Sequence, residues 1–474
     1  MIFINLAWEP RQTLRTLNEK PKVVNGQEGD VRTITKGEPM NNKLFSYHLA
    51  GLLPLLGLIL GLGWTLPVFS ADKPLHHVSS ETCQLCHKEI YKQWKGSMHA
   101  QSTAMDDPIH ATFYKKVVGD PTQEGVKMKN GKYPVCLQCH APNAARDKKT
   151  KLDTMAAYSE GVNCVACHTL AKFKGTDGPD GKPQLGLKAY ELSDTIQAPA
   201  GMNQELARLK AGAGSDDPFG GALETDSDKK PNPHLGEPVT LDGQEIPSLP
   251  MESNPQQMRT SDACMGCHDK RANSKQVPLC ATGDEFMESK SKTDCLACHM
   301  PVAGGIVDHG MGGGHDKAML KRSVVFKVMA VPEGDVLKTA VYMRNMQPHS
   351  LPTGAPFRNI YLKLTAYDAS GNVVWENAKG HPAKEDPQAY LMYELYDDND
   401  MHALPPVATK LGPDTRLKPF EVRELNYDIP AKDAVLVRGE LFYNLLWPGL
   451  VENFKHLPKD LTDPVSIAVA EVKL

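Results

Sequence analysis

Ten cysteines and five histidines of this chain stand in five copies of one spacing: Cys83-x-x-Cys86-His87, Cys136-x-x-Cys139-His140, Cys164-x-x-Cys167-His168, Cys264-x-x-Cys267-His268 and Cys295-x-x-Cys298-His299. Cys-x-x-Cys-His is the attachment pattern of haem c. On one helical turn the two thiols can each add to a haem vinyl group, while the adjacent imidazole swings under the ring to bind iron. Zinc knuckles and a disulfide framework are the competing uses of paired cysteines. Neither requires histidine after the second cysteine every time, and about 0.01 such pentapeptides would arise by chance at this chain's composition. Five covalent haem c groups are therefore predicted. The eleventh cysteine, Cys280, reads as a small hydrophobe rather than a reactive thiol.

Each motif supplies one axial ligand, so function turns on what meets the opposite face of each iron. His99 closes the segment Tyr91 to Ala100, read as a helix that sets Trp94 against porphyrin. His309 and His315 flank Gly310-Met311-Gly312-Gly313-Gly314, where backbone without Cβ can approach a haem closely. His349 lies in a Pro/Gly-framed loop, Pro348 to Gly354, and His234 is the lone histidine of the stretch from Thr169 to Ala263. These five are the candidate distal ligands. His76 and His77 lack supporting context, His110 is one more unassigned histidine, and His381, His402 and His456 read as ordinary residues. Met98, Met258, Met300 and Met311 are competing ligands that would raise potentials, although the supply of histidines makes bis-His ligation simpler.

The elements that must hold these ligands fall into two textures. Residues 72–322 carry all five motifs on short helical pieces joined by Gly/Pro/Asp-rich connections, with haem standing in for much of an apolar core. Residues 323–474 alternate in the manner of strands over Ser323–Val331, Val336–Met346, Asn359–Ala369, Val373–Ala378, Glu421–Ile429, Ala434–Trp447 and Val465–Leu474, with a hairpin turn at Asp368–Asn372. About seven strands in this length fit an all-β immunoglobulin-like sandwich. The stretch from Thr169 to Ala263 is too long for a simple connector and should wrap haem edges or form a lobe. Its acidic turns, Gly175 to Gly181 and Gly212 to Lys230, offer oxygen donors of the kind Ca²⁺ takes but read more simply as solvated turns.

Ahead of this lies an export signal over residues 40–71: a basic start at Met40 to Lys43, an apolar run from Leu49 to Val68, and short residues before a cleavage point after Ser70 or Ala71. Residues 1–39 are polar and read as a mis-assigned start or a disposable extension. The mature chain is thus expected in the periplasm or at the cell surface, where haem c is attached. From Asp72 onward it holds 46 basic and 52 acidic side chains. Nucleic acid is excluded as a sensible partner by that balance, and a basic redox partner is favoured.

The segment Cys83 to His87 followed by Trp94-Lys95-Gly96-Ser97-Met98-His99-Ala100, with Gly161-Val162-Asn163-Cys164-Val165-Ala166-Cys167-His168, resembles the multihaem cytochromes of the cytochrome c-554 type. The resemblance spans mainly residues 80 to 300. It implies that His99 serves the haem of Cys164 and Cys167 and that His234 serves the haem of Cys83 and Cys86. The chain departs from the tetrahaem prototype in its fifth motif and terminal β-domain. The leading expectation is an exported pentahaem electron carrier between redox proteins. The first alternative is an oxidoreductase in which one open haem acts on a small nitrogen or sulfur compound; the second is a subunit of a membrane-associated or multi-subunit conducting complex or filament.

Overall fold

The computed structural model describes residues 73–199, 232–430 and 433–474. The extension, the export segment and the turn from Gly212 to Lys230 lie outside them. Among the described residues no helix is long and apolar enough to cross a membrane.

Among its described residues, the haem region is built from α-helices of four to ten residues with a few shorter turns. Pieces this short do not hold themselves in water, so caps and tertiary partners must fix them. Cys164–His168 shows how: the Asn163 side chain accepts from the Ala166 amide at 3.0 Å, while its Nδ2 donates to Val78 and Glu160. The other motifs end or fill equally short helices, Ser80–Gln84, Leu137–His140, Asp262–His268 and Cys295–His299. Apolar clusters between them are small, one around Leu137, Leu152, Tyr114 and Tyr158, another around Val78, Val165, Ile196, Ile246 and Leu249.

The long stretch after the third motif forms a lobe of short paired strands. Leu170–Phe173 pairs with Tyr190–Leu192, Ile196–Ala198 runs parallel to Met251–Ser253, and Val239–Leu241 forms a hairpin with Gln244–Ile246. Its described acidic turn is closed by ion pairs, Asp177 with Lys270 at 2.6 Å and Asp180 with Lys182 at 3.0 Å.

Among its described residues the C-terminal region has nine strands: β1 (Val324–Glu333), β2 (Val336–Asn345), β3 (Asn359–Tyr367), β4 (Val373–Glu376), β5 (Tyr390–Tyr396), β6 (Lys410–Asp414), β7 (Val422–Ile429), β8 (Leu436–Asn444) and β9 (Val465–Lys473). One antiparallel sheet has the order β1-β2-β7, and the other β6-β5-β3-β8-β9 with β4 on β3. Alternate residues of β2 (Leu337, Val341, Met343), β3 (Ile360, Leu362, Leu364) and β8 (Val437, Leu441, Tyr443) are buried in one shared core, as a period of two requires. Gly439 of β8 belongs there because a Cβ would meet Val328 Cγ2 at 2.7 Å and Phe326 Cζ at 2.9 Å on β1.

Seven of the nine strands run where alternation predicts. The other two escape that pattern for readable reasons. Tyr-Leu-Met-Tyr-Glu-Leu-Tyr of β5 is largely buried without alternation, and β6 contains Gly412-Pro413, a pair that reads as a turn. Both regions lie in a single compact unit. Ile109 and Phe113 of the haem region pack with Phe357, Leu446, Leu450 and Phe454 of the β region, the Phe113 and Phe357 rings stacked at 5.4 Å.

Candidate haem centres

Iron takes an imidazole through a nitrogen that carries no proton, and a backbone carbonyl bound to the other nitrogen fixes that tautomer. His140 Nδ1 donates to the Ser102 carbonyl at 2.8 Å, His168 Nδ1 to Gln197 at 2.9 Å and His299 Nδ1 to Gly312 at 2.6 Å. Three distal candidates are held alike: His234 Nδ1 on Leu249 at 2.9 Å, His309 Nδ1 on Val307 at 2.8 Å and His349 Nδ1 on Ser350 at 3.1 Å. In each, Nε2 is the nitrogen left for a metal. Burial, followed by neighbouring imidazoles, lowers His99 to about 4 and His268 to about 3.

Three pairs of rings lie at centroid separations wide enough to admit an iron between them. His87 and His234 have centroids 6.2 Å apart, His268 and His99 6.0 Å, and His299 and His349 6.4 Å. The His234 ring thus lies beside that of the first motif, the haem to which the resemblance would give it. The resemblance gives His99 to the third motif, and in the structure its ring lies edge-on to His268 of the fourth. The backbone explains the discrepancy. The His99 carbonyl accepts from the Val162 amide at 2.9 Å, Trp94 Nε1 donates to Val162 O at 2.9 Å, and a Cβ on Gly161 would fall 2.2 Å from the His99 oxygen. The third motif's approach loop therefore holds the main chain of His99 while the side chain leaves in another direction.

His309 lies near enough to His168 and His87 to depress both by its charge, burial remaining the larger cause. His315 stands apart from the facing pairs, beside the Arg358 guanidinium and next to Gly314, whose Cβ would meet Tyr443 Oη at 2.6 Å. Its glycine neighbours thus admit protein groups. His110 is the residue that sequence reasoning missed: its ring lies 4.0 Å from that of His140. It sits in the first turn of Pro108–Val117, capped by Asp107, and no spacing to a motif points to it. Both His110 Nδ1 and His140 Nδ1 reach the same Ser102 oxygen at 2.8 Å. Sharing one carbonyl puts the two rings side by side rather than face to face across an iron. His110 Nε2 is buried without a hydrogen-bond partner.

Motif cysteines from different helices also lie close together: Cys83 beside Cys164, Cys139 beside Cys267 and Cys264 beside Cys295, near enough that each thiol shifts its neighbour's ionisation, with Cys167 near Cys264 and Cys267. All eleven cysteines are free of disulfides. Paired thiols beside an imidazole fit haem c at every motif, and the first, fourth and fifth add a second ring at about 6 Å. Cys280 is half-buried, its thiol 3.8 Å from the His268 carbonyl.

Residues 82–169 match the family described as cytochrome c554 and c-prime. No curated protein matches the chain. Among solved structures, a penta-heme cytochrome c552 from Thermochromatium tepidum is 60% identical, with 85% of this chain and 100% of that chain covered and a TM-score of 0.78. With five complete motifs in that shared fold, the chain belongs to the multihaem c-type cytochromes and carries five haem c groups.

Proposed function

We propose that this is an exported electron carrier whose haems pass electrons among themselves and on to redox proteins. Haem c supplies reversible Fe(III)/Fe(II) chemistry at each site. The observation that carries the reading is the closeness of cysteines from different motifs. It joins the first motif to the third, and the fourth to both the second and the fifth, with Cys167 of the third beside the fourth. Attachment points this close hold neighbouring haem edges together, so the polypeptide supports a branched array rather than five isolated centres. Cys86 and Cys298, in the first and fifth motifs, are exposed and favour those ends as docking points for redox partners. The β region, in this reading an immunoglobulin-like sandwich, supplies His349 to the fifth site. Facing rings support bis-His ligation for His87 with His234, His268 with His99 and His299 with His349. His309 is assigned to His168, because His87 already has a partner.

Photochemical injection of one electron tests the carrier. Spectral redistribution among the haems should follow at a rate independent of protein concentration. Redistribution only by collision between molecules would overturn it.

A second reading is favoured at the second motif, where His110 lies beside His140 rather than across from it. One iron with an open face could act on a small nitrogen or sulfur compound. Electron paramagnetic resonance of the oxidised protein should then show four low-spin haems and one high-spin haem that shifts with nitrite, hydroxylamine or nitric oxide. Five low-spin signals would remove this reading and leave the carrier intact.

A further inference from the structure

Two histidines that no haem pair uses converge on one carboxylate. His76 Nε2 lies 2.9 Å from Asp147 Oδ1, and His77 Nε2 lies 2.6 Å from Asp147 Oδ2. One donor atom from each of the three lies within 4.8 Å of the others. The Tyr158 hydroxyl donates to the same Oδ2 and is 3.5 Å from His77 Nε2. The rings lock one another edge to face, His76 on His77 at 4.5 Å and His77 on Tyr158 at 5.9 Å.

The donors are held on ordered segments. His76 and His77 occupy the turn Leu75–His77 entered from Pro74, Asp147 ends the helix Pro142–Arg146, and Tyr158 lies on Ala156–Ser159. Side-chain exposures of 12% for His76, 23% for His77 and 27% for Asp147 leave the cluster shielded yet reachable from solvent. Without an ion, each imidazole donates its Nε2 proton to a carboxylate oxygen. Moving that proton to Nδ1 frees both Nε2 lone pairs, with no proton lost from the molecule.

Two imidazole nitrogens and one carboxylate oxygen are a borderline donor set. It suits zinc and its neighbours, whereas calcium and magnesium take mainly oxygen. Three protein ligands would leave a fourth position for water or the Tyr158 oxygen. We propose that His76, His77 and Asp147 form a binding site for one divalent transition-metal ion, with zinc as the fitting probe. The ion would tie the chain ahead of the first haem motif to the helix behind the second.

The test uses intact, haem-loaded protein stripped with a chelator and titrated calorimetrically with zinc chloride. One equivalent should bind, Asp147→Asn should weaken binding at least about tenfold, and His76→Ala/His77→Ala should abolish the saturable phase. Calcium chloride should give no such phase. Crystals soaked in zinc and measured above and below its absorption edge decide the point without any variant. An anomalous peak between His76, His77 and Asp147 is expected; a peak only elsewhere, or none, would overturn the site. So would zinc binding that is unchanged in a double variant retaining five haems.

Discussion

His99 separates what a residue's neighbours in sequence reveal from what its side chain does. Its carbonyl is gripped by the third motif's loop through Val162, yet its ring faces His268. His99→Ala should therefore convert the haem of Cys264 and Cys267 to five-coordinate, high-spin iron. Paramagnetic resonance checks the spin state, and a structure of the variant identifies the haem; a change at the haem of Cys164 and Cys167 would restore the assignment that the resemblance implies. The same clasp makes Gly161 sensitive. At φ +67°, with a Cβ 2.2 Å from the His99 oxygen, Gly161→Ala should lower stability by about 1–3 kcal/mol, visible as a lower melting temperature. The five proximal histidines were fully legible in the sequence because thiols and imidazole lie within one turn. Distal partners were legible only in part. His110 reaches Ser102 and His140 through tertiary packing that leaves no mark on spacing.

At the scale of elements, the β region reaches the fifth haem site through the loop carrying His349, and a buried carboxylate holds that loop. Glu285, on Thr282–Ser289 of the haem region, accepts from the Ser350 amide at 3.0 Å and from Thr353 Oγ1 at 2.6 Å. Its other oxygen meets Arg416 at 2.7 Å, and Arg416 also binds Asp414 at 2.8 Å. Both Glu285 and Arg416 side chains are 11% exposed, so removing one leaves the other charged and shielded. Glu285→Ala should cost about 1–3 kcal/mol, since Arg416 keeps Asp414, and loosen His349, adding a high-spin signal from the haem of Cys295 and Cys298. Glu285→Gln should retain part of the loop contact and show the weaker effect. Unchanged melting and spin state in Glu285→Ala would show that the loop holds itself. Alternation exposed the strands on either side of this loop, but not the brace. A lone Glu in Gly-Asp-Glu-Phe carries no pattern, and its partner lies 131 residues away.

For the whole molecule, the change of texture near residue 323 marks where strands begin, while the core of the β region also takes in a residue of the helix before them. Leu320, on Lys317–Arg322, lies in the core shared by both sheets, and Asp316 caps that helix by accepting from the Ala318 and Met319 amides. This helix is continuous in texture with the haem region, so composition alone groups it with the haem motifs. A fragment of residues 316–474 should fold without haem into a β-rich domain, because its core is drawn from its own strands. It should exceed a fragment of residues 323–474 in stability by about 1.5–3 kcal/mol, the worth of burying one leucine side chain. Both would uncover Phe357, Leu446, Leu450 and Phe454, which Ile109 and Phe113 cover in the intact chain, so association at higher concentration is expected. Circular dichroism and thermal melts at several concentrations check each point. Equal stability of the two fragments would place Leu320 outside the working core. Absence of strand signal in both would mean that the β region folds only against the haem region, with Glu285 and the Phe113 contact as required partners.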